Sequence, residues 1–151
     1  ATINDCQAAD LFGHYCLSRA VAYSNIGKAD LTASESAKLV AACNAAHLFT
    51  MAASLICGDN ASFLRAALLN SANVYLLYGE KCLQNWNDDV DVKGASTALA
   101  CFTEADRRLR TAGDEGCEDK MIYAHERNSV SWQQPELPSW SEIGKPRVTA
   151  L

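Results

Sequence analysis

The sequence predicts an all-α protein: a helical bundle, opened by a short helical or hairpin-like lead and closed by a C-terminal arm. Three observations carry that prediction. Apolar residues recur at spacings of three and four through most of the chain, no stretch of useful length alternates apolar with polar residues, and all three prolines fall after Asn128. Residues 1–127 therefore read as one helical domain that includes the hairpin-like lead, and 128–151 as an extended arm.

The lead, Asn4 to Ala22, carries Cys6 and Cys16 in a short helical or hairpin-like segment. The next element is marked by Thr32-Ala33-Ser34-Glu35, which has capping-box spacing: a hydroxyl and a carboxylate three residues apart can each satisfy the other's backbone N–H. An Ala-rich run of high helix propensity follows, and Gly58 is a natural stop, so one long helix is expected from about Ala33 to Ile56. A further helix starts near Asn60 or Ser62. Its buried stripe is expected to be Leu64, Leu68, Ser71, Tyr75, Tyr78, Cys82 and Trp86. Leu99, Phe102, Ala105, Leu109 and Ala112 form one face of another, broken by Gly113-Asp114. From there Asp114 caps a last helical piece through Met121, Ile122 and His125. The arm holds Pro135, Pro138 and Pro146 with Trp132 and Trp140. Proline lacks the amide donor and crowds the preceding turn, which argues against a regular helix there, and the tryptophans are expected to pack on the bundle.

Bulk composition narrows the function. The chain has 151 residues, 49% of them hydrophobic and 21% charged, which is ordinary globular usage and excludes wholesale disorder. A formal net charge of −5 argues against nucleic acid, whose phosphates select basic proteins, and suits a basic partner surface. Leu39 to Cys57 runs 19 residues without a charged side chain, the length of a spanning helix. Its many alanines, with Asn44, His47 and Thr50 among them, favour a helix buried in protein over one in lipid.

Seven cysteines with no C-x-x-C pair point away from a zinc ribbon or thioredoxin-type site and toward an exported disulfide framework with one thiol left over. Asn60-Ala61-Ser62 is a glycosylation sequon, relevant to an exported chain. Cys43 and His47 share a helix face and could be half of a metal site, but nothing supplies the other half, so core packing is expected and no metal or cofactor is assigned. His14 with Cys16, and Cys117 with His125, do not assemble a base, a nucleophile and oxyanion donors, so no catalytic residue is assigned and the chain is read as a non-enzyme. Arg107, Arg108 and Arg110 beside Leu109 read as a solvated helix face.

The cysteine-bearing segments resemble those of the plant invertase and pectin methylesterase inhibitor family. Cys6 and Cys16, with Ile3 ahead and His14-Tyr15 before the second, look like that family's N-terminal hairpin pair. The run CLQNWNDDVD from Cys82 to Asp91 looks like its cysteine-then-aromatic helix, with Trp86 where tyrosine is usual. Phe102 to Arg110 followed by Gly116-Cys117-Glu118-Asp119 looks like the segment ending in the second-bridge cysteine, and Ala29-Asp30-Leu31 also matches. The resemblance implies a secreted four-helix bundle with bridges Cys6–Cys16 and Cys82–Cys117. It also implies inhibition by occlusion: a helix face docks over the cleft of a carbohydrate-active enzyme.

By the same resemblance the partner contacts would be Gln84, Asp88, Asp91 and Asp119, on a pectin methylesterase whose polyanion-binding cleft tends to be basic. Asp88 and Asp91, three apart, are neighbours on a helix surface, and Gln84 lies one turn earlier on that side. Without the resemblance, these acids read as a solvated face. The invertase-inhibiting branch carries a Pro-Lys-aromatic loop where this chain reads Ala100-Cys101-Phe102, so invertase is the weaker partner. The rival reading is a helical subunit of a larger assembly, in water or at a membrane, its Trp-bearing tail threaded along a partner.

Overall fold

A computed structural model of the chain describes residues 5–29, 35–56, 61–85, 92–130 and 132–144. Among the described residues the protein is all-α, with six helices and no strand: α1 Asp5–Ala29, α2 Glu35–Leu55, α3 Ala61–Asn85, α4 Val92–Thr111, α5 Glu118–Ser129 and α6 Trp140–Gly144. The helical-bundle class expected from the sequence is the one observed. The capping residues Thr32 to Ser34, the sequon residue Asn60, and Cys57, Trp86 and Pro146 lie outside the described residues. The chain divides into two compact units, residues 1–71 with 144–151, and residues 72–143, so that α3 contributes to both.

In the first unit α1 packs on α2. The lead is one continuous helix of 25 residues, not a hairpin. Cys6 and Cys16 are ten residues apart on it, a rise of about 15 Å at 1.5 Å per residue. A disulfide needs Cα atoms within about 7 Å, so the helix itself keeps the implied Cys6–Cys16 bridge from closing, and both stand unbridged, Cys6 exposed and Cys16 buried. The reason is local. Asn4 to Ala22 contains no proline, and its one early glycine, Gly13, serves packing rather than turning. A β-carbon at Gly13 would stand 2.7 Å from Cγ1 and 3.1 Å from the backbone nitrogen of Ile56 at the end of α2.

The core of this unit is built from small residues. Ala20, Ala45, Phe49, Ala53 and Ala67 form one buried cluster, with Leu17, Tyr23, Leu48, Phe63 and Ala66 against it, and Cys16, Ala52 and Ile56 form a second. Alanine at the contacts lets helix axes approach closely, and Phe49, Phe63 and Ile56 fill what remains. The long uncharged run is thereby explained: α2 is buried at Leu39, Ala41, Cys43, Ala45, Ala46, Phe49, Ala52 and Ala53. Its hydroxyls are satisfied within the helix, Thr50 donating to the Ala46 carbonyl at 2.9 Å and Ser54 to that of Thr50 at 3.2 Å. Among the described residues no helix is long and apolar enough to cross a membrane.

The buried stripe of α3 begins one residue earlier than its spacing suggests. Ser71, Tyr75, Tyr78 and Cys82 are buried as expected, but Leu64 is 52% exposed. Phe63 takes the inward position against the first unit's core, and Leu64, about 100° further round the helix, faces out.

In the second unit α4 packs on α5. The expected face of α4 is buried at Phe102 and Ala105, joined by Ala95, Ala98 and Cys101. Its end is a Schellman motif: Gly113 has φ +80°, its N–H bonds the Arg110 carbonyl at 3.0 Å, and the Asp114 N–H bonds that of Leu109 at 2.9 Å. The expected capping role of Asp114 is taken elsewhere. Asp114 Oδ1 accepts the next amide, Glu115 N–H at 2.7 Å, and α5 starts four residues after Asp114. Asp106 on α4 instead accepts the Cys117 N–H at 2.8 Å, placing a carboxylate at the α5 N-terminus, where the helix dipole favours it. The inward face of α5 is accordingly Ala124 and Asn128 with half-buried Cys117 and Met121, while Ile122 and His125 face solvent.

The arm is non-helical from Gln133 to Ser139 before the short α6. Several contacts hold it. Asn128 Nδ2 donates to the Gln133 carbonyl at 3.0 Å, Ser96 Oγ donates to that of Gln134 at 2.9 Å, and Trp140 lies 4.9 Å from the Tyr75 ring between centroids. The Arg108 guanidinium sits 5.3 Å from the Tyr75 ring and 5.7 Å from Trp140, a cation shared by two aromatic faces. Of the two arm tryptophans, then, Trp140 packs as expected and Trp132 stays 73% exposed.

Candidate protein-docking surface

The surface rests on a close approach of α3 and α4 inside the second unit. Gly79 faces the ring of Phe102, and a β-carbon there would stand 2.6 Å from Cε1. One turn beyond Gly79 lies buried Cys82, and one residue before Phe102 lies fully buried Cys101. Burial first, and Cys82 second, push the Cys101 thiol far above its ordinary range. Cys117 is also pushed up, chiefly by burial, and its Sγ donates to the Phe102 carbonyl at 3.2 Å. Cys82, Cys101 and Cys117 all lie about one segment of α4, and none is in a disulfide. Thiolate is the nucleophilic and metal-binding form, so these environments suit packing rather than chemistry.

On the outside of that core, the Lys120 ammonium of α5 pairs with the Glu80 carboxylate of α3 and lies 5.8 Å above the Phe102 ring. The pair ties the first turn of α5 to the second-last turn of α3. Exposed Gln84 stands one turn after Glu80, and exposed Asp119 directly precedes Lys120. Two of the four expected contact residues, Gln84 and Asp119, therefore flank one interhelical ion pair; Asp88 and Asp91 lie outside the described residues.

Two further residues extend this face that the sequence pattern assigned elsewhere or passed over. Ile122 is 51% and Tyr123 46% exposed, each within one turn of Asp119. Tyr123 is held in place by Arg127, whose Nη2 donates to the phenol oxygen at 2.6 Å and whose guanidinium sits 5.0 Å from the ring. The i, i+4 spacing of Tyr123 and Arg127 was available as a signal; the outward turn of Ile122 was not, because it depends on where α5 begins.

The other candidates stay apart. Cys43 is buried while His47, one turn on, is exposed, and among the described residues no group of three potential metal ligands is found. His14 lies 3.6 Å from Asp10 on the solvent side of α1, whereas Cys16 is buried. The arginine cluster is an ion-pair network: Glu104 Oε1 binds Arg108 Nε at 2.8 Å and Arg107, while Arg110 Nε binds Asp106 at 3.1 Å. Arg107 first, then Arg108, hold the Glu104 carboxyl below its ordinary value against the opposing effect of burial. Ala100-Cys101-Phe102, the counterpart of an inserting loop, lies mid-helix in α4 with Cys101 and Phe102 buried.

No family model, no curated protein and no solved structure matches the chain.

Proposed function

We propose that the protein is a non-catalytic, exported inhibitor that binds another protein and covers the active-site cleft of a carbohydrate-active enzyme, pectin methylesterase being the first target. The observation that carries the reading is the mixed face on which Asp119 shares α5 with exposed Ile122 and Tyr123, with Gln84 one turn beyond the Glu80 that pairs with Lys120. An exposed, pre-oriented aromatic next to acids has the make-up of an interface anchor with a charged rim. The acids suit the basic rim of a cleft that admits a polyanion. The resemblance around Cys82 and Cys117 supplies the class of target, and the burial of Cys101 and Phe102 argues against insertion into an invertase site.

The test is inhibition of a plant pectin methylesterase by the purified chain, across salt concentrations, with an invertase in parallel. Stoichiometric inhibition that weakens with salt is expected, with loss in Tyr123→Ala and in the combined Asp88→Asn, Asp91→Asn and Asp119→Asn variant. No inhibition of the esterase, or inhibition that ignores these substitutions, overturns the reading. The exposed Trp132 and Val130, 73% and 80% accessible, favour a second reading, a helical subunit whose arm threads along a larger assembly. Co-purification with a fixed partner, without effect on either enzyme, would select it.

A further inference from the structure

The first unit carries a face that its own core leaves in water. On α1, Gly13, Cys16 and Ala20 are buried, but Asp5, Ala8, Phe12, Tyr15, Arg19 and Ala22 are exposed. These six follow one another at spacings of 3, 4, 3, 4 and 3, the a/d rhythm of a helix seam that packs on a second helix. At its middle Phe12 and Tyr15 stack with ring centroids 6.1 Å apart, and Leu11 flanks them at 59% exposure. Side chains of this size in one strip are a patch, not the scattered apolar residues of an ordinary surface.

The charges on the stripe say what fits it. Its first member is acidic, Asp5, and its fifth is basic, Arg19, with the aromatic pair between. A second copy of α1 laid parallel would bring Asp5 against Asp5 and Arg19 against Arg19. Laid antiparallel about a twofold axis between Phe12 and Tyr15, it sets Phe12 against Tyr15 of the other copy and Ala8 against Arg19. Asp5, the stripe position next to Ala8, then comes within reach of that arginine. The stripe is self-complementary in one orientation only, which is the property a twofold interface requires. Arg19 already leans toward Tyr23, its Nη2 3.4 Å from the phenol oxygen on the exposed side of the helix, so it is extended along the surface.

We propose that α1 is a homodimerisation helix that pairs antiparallel with α1 of a second copy through Phe12, Tyr15 and the flanking Asp5–Arg19 charges. A single helix pair falls at the small end of specific interfaces, below about 1,200 Å², so a dissociation constant on the order of 1–100 µM is expected.

The experiment is sedimentation velocity of the full chain from about 1 to 500 µM in a reducing buffer, which keeps exposed Cys6 from cross-linking copies. The expected result is a reversible monomer–dimer equilibrium that weakens with salt. Tyr15→Glu should raise the dissociation constant at least tenfold with an unchanged far-ultraviolet spectrum. Asp5→Arg and Arg19→Glu should each weaken the dimer, and the double reversal should restore most of it. A chain that stays monomeric throughout, a dimer indifferent to Tyr15→Glu, or charge variants that add without rescue would each overturn the proposal. So would a monomer that instead floats with neutral phosphatidylcholine vesicles through the same residues.

Discussion

Gly79→Ala tests the close approach on which the second unit is built. In an exposed helix interior this exchange gains about 1 kcal/mol, because alanine loses less backbone freedom than glycine. Here the new β-carbon would stand 2.6 Å from Phe102 Cε1 and 3.0 Å from both Cδ1 and Cζ. Carbon atoms attract best at about 3.5–4.0 Å, so the nearest contact is short by about 1 Å. The ring cannot swing away cheaply. Phe102 is 1% exposed, Lys120 lies over its face, and its carbonyl accepts the Cys117 thiol. Overpacking of this kind costs about 1–3 kcal/mol; set against the propensity gain, a net loss of up to about 2 kcal/mol remains. For a chain of this length that lowers the melting temperature by up to roughly 8 °C. Thermal unfolding followed by circular dichroism reads it directly. Phe102→Leu in the Gly79→Ala background should recover stability, because the smaller side chain makes room for the methyl group, although Phe102→Leu alone leaves a void. A rise in melting temperature for Gly79→Ala, or single changes that add within about 0.5 kcal/mol, would refute the packing argument.

Two further outcomes follow from the ionisable groups. Glu104 is held below its ordinary value of about 4.3 by Arg107 and Arg108. A carboxyl whose folded value is depressed contributes stability above the unfolded value and loses it as pH falls through the folded one. The stability difference between the native chain and Glu104→Gln should therefore be full at neutral pH and shrink below about pH 4; a difference constant from pH 7 to pH 2, read by urea unfolding, would contradict the pairing. Among the thiols, exposed Cys6 should alkylate first at pH 8, half-buried Cys117 slowly, and Cys101 only on denaturation, since burial and Cys82 keep it protonated. Peptide mapping after native alkylation checks the order, and recovery of a Cys82–Cys117 cross-linked peptide from native material would contradict the free-thiol arrangement.

The sequence by itself determined the helices. Their apolar spacing, the Ala-rich run, Gly113-Asp114 as a stop and the prolines of the arm are local features, and local energetics act on them before any tertiary contact forms. Legible for the same reason were the buried positions Tyr75, Tyr78, Cys82 and Phe102, each on a stripe that repeats with the helical period. Which side of a helix end faces inward was decided only by tertiary structure. Leu64 turned out because Phe63 took the core position, and Ile122 turned out because Asp106, eleven residues before Cys117 in sequence, caps α5 in place of Asp114. The N-terminal lead was misread for a related reason. The resemblance implied a hairpin closed by Cys6 and Cys16, but with no turn residue between them the backbone continued as one helix, and Gly13 served as a seat for Ile56. The candidate docking face was half legible. Gln84 and Asp119 were named as contacts only through the resemblance around two cysteines, whereas the Glu80–Lys120 pair near which they stand joins positions forty residues apart. Periodicity within one helix carries no information about such a pair, because only the packing of one helix against another decides it.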